Sequence, residues 1–274
     1  MVGDVREAPG TEWDGHVLLL HRTEGERLAG LTAWVRRGLE LGEKIIYTEL
    51  PLLPGDALVP VLEARGVDAA AAVRDGQLVV LPPEEFYPRE GQRVVVERAL
   101  AEGFAAVRIS AEVRAALSVL SPDAVHGVEH RLDALVGDLP MSAMCQYAEA
   151  DTTGTWLDDA VATHVFGVRQ STFSTSRDLD GLALHGEVDR TNTDVFTAVL
   201  SAASRHPSLV LWVDLGEVSY VDAGSCWRLD DATRGFRSSG GHVLLVAPQP
   251  PVELTMRMLE VDELPGMHLV GVEQ

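Results

Sequence analysis

The sequence has very few cysteines and lysines, and each shortage excludes a class of protein. Of its 274 residues only Cys145 and Cys226 are cysteines, too few for the disulfide framework of a small secreted domain. Lysine occurs once, at Lys44, so a Schiff-base lysine or a phosphate-binding P-loop lysine has almost no candidate. No segment approaches the roughly 20 consecutive apolar residues of a membrane-spanning helix.

The charge is strongly one-sided. There are 42 acidic and 22 basic residues, for a net charge of −20 and a pI near 4.7. Because nucleic acids and anionic lipid surfaces are bound through lysine and arginine, we expect neither nucleic acid nor membrane as a direct partner. The start of the chain is acidic and polar and does not have the pattern of a signal peptide, which favours a cytoplasmic protein.

Hydrophobic patterning predicts a first α/β unit. Strands and helices alternate, which is typical of a parallel sheet with crossover helices. Thr23 and Glu26 have the spacing of a capping box at the start of the first helix, and Gly42 follows its end. The predicted strands are His16–His21, Lys44–Thr48, Leu78–Leu81, Ala105–Ile109 and Ser142–Tyr147. Further helices are predicted over Asp56–Arg65, Gln92–Glu102, Ala111–Leu120 and Pro122–Val136.

A second, smaller α/β unit follows the Ser/Thr-rich stretch Gln170–Arg177. Its predicted strands are Leu182–Glu187, Leu209–Leu215 and His242–Val246, and its predicted helices are Thr191–Ser204, Ser225–Ser238 and Pro251–Glu260. We therefore expect a flexible lead-in over residues 1–15, a first domain over 16–172 and a second domain over 174–274.

The second unit contains two stretches that resemble STAS domains of anti-sigma-factor antagonists. They are Val210–Trp227 (VLWVDLGEVSYVDAGSCW) and Leu184–Phe196 (LHGEVDRTNTDVF). The resemblance implies a STAS-like fold and a partner-binding loop formed by Asp222, Ala223, Gly224 and Ser225. It also implies an anti-sigma factor or a serine kinase as the partner. Asp222 is suited to cap the helix that begins after it.

The phosphorylation site of the STAS family is altered in this chain. The family's phospho-acceptor position falls on Gly224, which has no hydroxyl, and Ser225 lies one place later. Ser225 is the remaining candidate for phosphorylation. The simpler interpretation is that Ser225 has a structural role at the start of the helix, where its side chain satisfies a backbone amide. We therefore expect no conventional phosphorylation switch.

The first unit contains scattered elements that resemble the MEDS domain, the sensory domain of DcmR-type regulators. They are Asp14–His16, Gly38–Tyr47, Asp75–Leu78, Tyr87 with Gly91, Gly103–Glu112, Glu129 and Met144–Tyr147. The resemblance implies a three-layer α/β fold related to RecA- and KaiC-like ATPases, and the sensing of a small molecule. The positions that it implies for ligand binding are His16, Tyr87, Arg108, Glu112, Glu129, Cys145 and Tyr147.

For several of these positions a structural role is an open alternative. Arg108 and Glu112 are also explained by an ion pair, and Cys145 by a small buried apolar side chain. His16 is also explained as a partly buried histidine with satisfied hydrogen bonds.

Nucleotide binding is not expected. The turn between the first strand and the first helix, His21–Arg27, has one glycine, no lysine and two glutamates that would repel phosphate. We expect no cofactor and no ATP.

One metal motif leaves an enzymatic alternative. His126, Glu129 and His130 form an HxxEH sequence, in which the two histidines lie four residues apart and could hold zinc on one helix face. A degenerate RecA-like or zinc-dependent hydrolase is therefore the alternative, and a non-sensing scaffold that forms homo-oligomers is another. The reading that we favour is a regulatory, non-catalytic protein that couples sensing in the first domain to partner binding in the second.

Overall fold

The computed structural model describes residues 13–50, 57–178, 181–205 and 208–271. The chain divides into two compact units between Asp151 and Thr152. Among the described residues, the helices are all too short or too polar to cross a bilayer.

The first unit is a parallel sheet with helices between its strands. Its strands are β1 (His16–His21), β2 (Lys44–Thr48), β3 (Leu78–Leu81), β4 (Val107–Glu112) and β5 (Met141–Ala148). They pair in parallel in the order β1-β5-β4-β2-β3. Its helices are α1 (Glu24–Glu40), α2 (Leu58–Ala64), α3 (Ala69–Arg74), α4 (Pro83–Phe86), α5 (Gln92–Ala101), α6 (Val113–Leu117) and α7 (Pro122–Asp138).

The helices cover both faces of this sheet, which makes the unit a three-layer α/β fold. On one face, α1, α2 and α3 enclose a core that includes Trp34, Tyr47 and Met144. Helix α7 packs on β1 and β5. Because side chains alternate along a strand, the residues on either side of Met144, Ala143 and Cys145, lie on the opposite face, which α7 covers.

Two predictions for this unit are wrong in position. The strand predicted over Ala105–Ile109 runs instead over Val107–Glu112, because polar and charged residues are buried in β4 and conceal its apolar pattern. The helix predicted over Ala111–Leu120 is shortened to α6, since its first residues belong to the strand. Helices α3 and α4 were not predicted. Asp56, the predicted start of α2, lies outside the described residues.

The second unit contains a mixed sheet. Its strands are β6 (Val168–Arg169), β7 (Phe173–Arg177), β8 (Leu182–Val188), β9 (Val210–Val221), β10 (His242–Val246) and β11 (Met267–Val270). Strands β6, β7 and β8 pair antiparallel, and β8 to β11 continue in parallel. Its helices are α8 (Thr155–Thr163), α9 (Thr193–Ala203), α10 (Ala223–Ser238) and α11 (Pro250–Met258).

The sequence underestimated the strands of this unit. No strand is predicted in the Ser/Thr-rich stretch Gln170–Arg177, but the stretch contains β7, which pairs with β8 along its whole length. The strand predicted over Leu209–Leu215 continues to Val221, because β8 remains paired to it through two register shifts. Strand β11 was not predicted.

Candidate functional site

A buried hydrogen-bonded cluster lies on the α7 face of the first sheet, centred on Glu129. The Cys145 thiol donates to Glu129 Oε2 over 2.9 Å, and the Tyr147 hydroxyl donates to Oε1 over 2.8 Å. His16 Nε2 lies 3.5 Å from Glu129 Oε2 and 3.7 Å from Cys145 Sγ. Strands β1 and β5 and helix α7 therefore bring four of the predicted ligand-binding residues together.

Burial keeps the thiol of Cys145 and the hydroxyl of Tyr147 protonated. Burial, followed by the charge of Glu129, raises the pKa of the Cys145 thiol well above its ordinary value. The same two causes raise the pKa of the Tyr147 hydroxyl. For His16, burial is the largest single influence and lowers the pKa, but hydrogen bonds with Asp133 and Glu129 outweigh it and raise the pKa overall.

Tyr87 joins this cluster through a small cavity. The cavity has a volume of about 20 Å³, and Tyr87, Glu129, Cys145 and Tyr147 contribute to its walls. A volume of this size holds about one water molecule. Burial raises the pKa of Tyr87 well above its ordinary value, and so do the nearby Cys145 and Glu129, so its hydroxyl remains a donor.

A second, larger site lies at the carboxyl ends of the strands, where parallel α/β sheets place their binding crevice. It is a crevice of about 390 Å³. The buried guanidinium of Arg27 forms its floor, with Glu112 Oε1 at 2.9 Å and Tyr47 Oη and Gln146 Oε1 both at 3.1 Å. Arg27 also donates to Glu24 over 2.6 and 2.8 Å.

The crevice carries more negative than positive charge. Four carboxylates line it against two guanidinium groups; these are Glu24, Glu49, Glu112 and Asp151 against Arg27 and Arg114. Burial raises the pKa of Glu49 despite the hydrogen bond that it accepts from the Leu58 amide. The volume falls in the range of small-molecule sites, and the charge favours a neutral or cationic ligand over a phosphate.

Arg108 lies apart from both sites. It is fully buried on the α1 face, where it binds the carboxylates of Asp14 and Glu43 and donates to the Trp13 carbonyl over 2.8 Å. Glu112, on the same strand, binds Arg27 and Arg114 instead. The ion pair suggested between Arg108 and Glu112 is therefore not formed.

The seven predicted ligand-binding residues thus divide between the two faces of the sheet. His16, Tyr87, Glu129, Cys145 and Tyr147 are gathered on the α7 face. Arg108 and Glu112 lie on the α1 face at opposite ends of β4. Ligand binding by any of them remains a prediction.

In the turn before α1, side chains of the turn itself accept hydrogen bonds from the backbone amides that would bind phosphates in a nucleotide-binding protein. Glu26 Oε2 accepts from the amides of Arg22 and Thr23 over 2.7 and 3.3 Å, and Thr23 Oγ1 accepts from the Glu26 amide over 3.2 Å. This is the predicted capping box, and it is confirmed. Because these amides are occupied beside two carboxylates, the turn is unfavourable for phosphate.

The HxxEH motif on α7 is divided between the interior and the surface. Glu129 points inward to Cys145 and Tyr147, His126 is partly buried, and His130 is exposed. In the described part of the chain, neither histidine belongs to a group of three or more residues that could hold a metal ion. The alternative of a zinc hydrolase built on His126, Glu129 and His130 finds no support in this geometry.

In the second unit, the loop predicted to bind a partner forms the start of α10. Asp222 caps this helix, as predicted, since its Oδ1 accepts from the Ser225 amide over 2.7 Å. Ala223 and Gly224 are exposed, and so are the neighbouring aromatic side chains Tyr220 and Trp227.

Ser225 differs sharply from its exposed neighbours. Its side chain is fully buried, and its hydroxyl donates to Thr193 Oγ1 over 3.3 Å. A phosphate on this hydroxyl would place two charges in a packed interior, which supports a structural role.

Comparison with known families assigns two different domains to the chain, and the first match extends beyond the division at Asp151. The model of the family described as MEthanogen/methylotroph, DcmR Sensory domain (MEDS) matches residues 15–165, more than half of the chain. The chain belongs to the MEDS family. Beyond this MEDS domain, a second model, described as Mlab, STAS domain, matches residues 171–271. A MEDS domain joined to a STAS domain indicates a regulatory or signalling protein.

Two solved structures are also similar to parts of the chain. The anti-sigma factor antagonist SpoIIAA in its unphosphorylated form is 17% identical and covers 36% of this chain and 87% of its own, with a TM-score of 0.30. The KaiC-like protein PH0186 from Pyrococcus horikoshii OT3 is 14% identical and covers 63% of this chain and 78% of its own, with a TM-score of 0.42. No curated protein sequence matches the chain.

Sequence reasoning missed the central residue of the MEDS crevice, Arg27. A signal was present, because Arg27 precedes Leu31 by four residues and Trp34 by seven and so lies in the apolar stripe of α1. A charged residue in such a stripe is buried only with partners, and here these include Glu112 and Tyr47.

We expect both cysteines of the folded protein to resist alkylation. The sample is treated with a chelator beforehand, so that no bound metal protects a thiol. Cys145 of the MEDS domain has a strongly raised pKa, and burial raises the pKa of Cys226 to about 11. At pH 8 about one Cys226 thiol in a thousand is then ionised, and both side chains are buried. Mass spectrometry after iodoacetamide treatment, with and without urea, checks this. Rapid labelling of either cysteine without urea would contradict it.

Proposed function

We propose that this protein is a ligand-controlled signalling protein. The MEDS domain binds a small molecule, and the STAS domain presents the loop formed by Asp222, Ala223, Gly224 and Ser225 to an anti-sigma factor or a serine kinase. The observation that carries the proposal is the conformation of this loop. Ala223 and Gly224 are exposed and available for binding, whereas the Ser225 hydroxyl points inward.

The surroundings of the loop support protein binding. Tyr220 and Trp227 are 49% and 51% exposed, and aromatic side chains are enriched where proteins bind one another. STAS domains of anti-sigma-factor antagonists bind anti-sigma factors or kinases, and the acidic chain suits a partner with a basic patch.

Because the phosphorylation site is altered, phosphorylation of the STAS loop is not expected to control partner binding. Gly224 stands at the family's phospho-acceptor position, and the Ser225 hydroxyl is buried. Control of partner binding therefore requires another input, and the MEDS domain supplies it. A ligand exerts such control only if it binds two arrangements of the protein with different affinity.

The MEDS crevice is suited to the ligand. Its volume of about 390 Å³ is that of a small-molecule site, and Arg27 fixes Glu112 and Gln146 at its floor. The excess of carboxylates selects a neutral or cationic molecule and rejects nucleotides.

The test is recovery of the partner with the tagged full-length chain from the cells that naturally produce it. We expect an anti-sigma factor or a serine kinase with the wild-type protein, and at least tenfold less with Gly224→Asp. The fold accepts this change, because a Cβ at Gly224 meets only Asp222 Oδ1, at 3.5 Å. The new carboxylate changes the charge of the loop at its exposed point.

A matched control separates binding from stability. Gly235→Asp makes the same substitution in the same helix, at another exposed glycine with open space around it. It is expected to recover the partner like the wild type. Equal recovery with all three proteins, or no partner of either class with the wild type, would contradict the proposal.

A further inference from the structure

We infer that the MEDS domain binds a divalent transition-metal ion of the zinc class through His16, Glu129 and Cys145. The three donor atoms are His16 Nε2, Glu129 Oε2 and Cys145 Sγ, from β1, α7 and β5. The inference goes beyond the proposed function, because it does not depend on what the STAS domain binds. It also differs from the HxxEH alternative, since it uses neither His126 nor His130.

The distances between these donor atoms are close to those of a tetrahedral zinc site. Zinc bond lengths of about 2.0–2.3 Å and tetrahedral angles place ligand atoms about 3.4–3.6 Å apart. The sulfur–nitrogen distance is 3.7 Å and the nitrogen–oxygen distance is 3.5 Å. The sulfur–nitrogen and nitrogen–oxygen distances therefore need almost no change to fit a tetrahedral zinc ion.

The third separation is short for a reason that metal binding removes. Cys145 Sγ lies 2.9 Å from Glu129 Oε2 because the thiol donates a hydrogen bond to the carboxylate. When the metal binds, the S–H bond breaks, a metal–sulfur bond forms, and the proton leaves to solvent. The two atoms then need to move apart by about 0.7 Å to reach tetrahedral spacing.

Each of two ligands has a polar group beside it, as metal ligands in proteins usually do. His16 Nδ1, the ring nitrogen that faces away from the metal, lies 3.5 Å from Asp133 Oδ1 and so has a carboxylate nearby. The Tyr147 hydroxyl donates to Glu129 Oε1 over 2.8 Å and leaves Oε2 for the metal. Such outer contacts orient metal ligands and fix the histidine tautomer.

The charge balance also favours a metal at this place. A buried carboxylate and a buried thiolate are each costly alone, but together they neutralise a divalent cation. The thiolate and imidazole select zinc-like metals over magnesium and calcium, which prefer oxygen ligands. The adjoining cavity of about 20 Å³ has room for a water or another very small molecule as a further ligand.

The test is titration of the full-length, chelator-treated chain with Co²⁺, followed by competition with Zn²⁺. A cobalt ion bound to a thiolate gives a charge-transfer absorption band in the near ultraviolet. We expect one Co²⁺ per chain with this band, displaced by Zn²⁺. We expect Cys145→Ala to lose the band, and Glu129→Gln, which keeps the side-chain shape, to weaken binding at least tenfold.

Cys226→Ala is the matched control, because it removes the other buried cysteine, which lies in the STAS domain. It is expected to keep the band and the affinity of the wild type. Circular dichroism confirms that each variant is folded. Absence of the band in the wild type, or its persistence in Cys145→Ala, would overturn the inference and leave the cluster as a hydrogen-bonded network. Loss of the band in Cys226→Ala alone would overturn it as well.

Discussion

Replacing Arg108 with alanine is expected to lower the free energy of unfolding of the MEDS domain by about 3 kcal/mol. The guanidinium is fully buried, and it binds two carboxylates, Asp14 and Glu43, and one carbonyl, that of Trp13. Removing it leaves these three acceptors without their shared donor. The carboxylates are partly exposed and can regain some hydration, which keeps the loss near the lower end for a broken buried pair.

The packing around Arg108 adds to this effect. Gly38 of α1 leaves the space for its stem, since a Cβ at Gly38 would lie 2.8 Å from Arg108 Cδ. The guanidinium also lies over the Trp34 ring, with 5.5 Å to the centroid. Alanine therefore removes apolar packing and a cation–π contact as well as an ion pair.

The measurement is hydrogen exchange followed by mass spectrometry, which reports on the peptides of the two units separately. Arg37→Ala is the matched control, because Arg37 also contacts Asp14, at 3.3 Å, but is 20% exposed. Arg37→Ala is expected to lower the free energy of unfolding by less than about 1 kcal/mol. Equal protection of β1 and β4 in the two variants would contradict the structural role given to Arg108.

Gly186→Ala is expected to destabilise the STAS domain by about 3 kcal/mol. Gly186 has a φ of +92°, and a Cβ there would lie 2.2 Å from the Thr172 carbonyl oxygen. That oxygen accepts from the Glu187 amide over 2.8 Å, so it is held in place beside the glycine. An alanine must both adopt a strained backbone and displace this carbonyl.

The control for this variant is Gly235→Ala in α10. That glycine has open space around it, and alanine favours helix, so stability is expected to stay the same or rise by up to about 1 kcal/mol. Urea unfolding of both variants, with hydrogen exchange to locate the change, measures the difference. If Gly186→Ala unfolds at the urea concentration of the wild type, the close approach of Thr172 does not constrain the strand.

Much of the fold could be predicted from local sequence. The strand His16–His21, the Thr23–Glu26 capping box and the strand Lys44–Thr48 occur as predicted. Their signals are short apolar runs and a cap with fixed spacing, which depend only on neighbouring residues. Strand β7 was missed because its polar residues are held by pairing with β8, which lies beyond the reach of a local pattern.

The candidate site was predicted only in part, for a similar reason. The sequence selected His16, Glu129 and Cys145, and the structure brings them within 4.8 Å of one another. It also selected Arg108 and Glu112, which lie on the other face of the sheet. Side chains alternate along β4, so Arg108 and Glu112 lie on the same face of the sheet. The pairing of Ile109 with Ala143 places Cys145 on the opposite face.

The sequence by itself determined the two α/β units, their family resemblances, the capped start of α10 and the loss of a hydroxyl at Gly224. Tertiary structure alone decided which polar residues share a site. It turned the Ser225 hydroxyl toward Thr193, placed Arg27 beneath the crevice and gathered His16, Glu129 and Cys145. The reason is physical: strand and helix signals arise from neighbours in the chain, whereas a site is set by strand order, register and helix placement, which join residues more than a hundred positions apart.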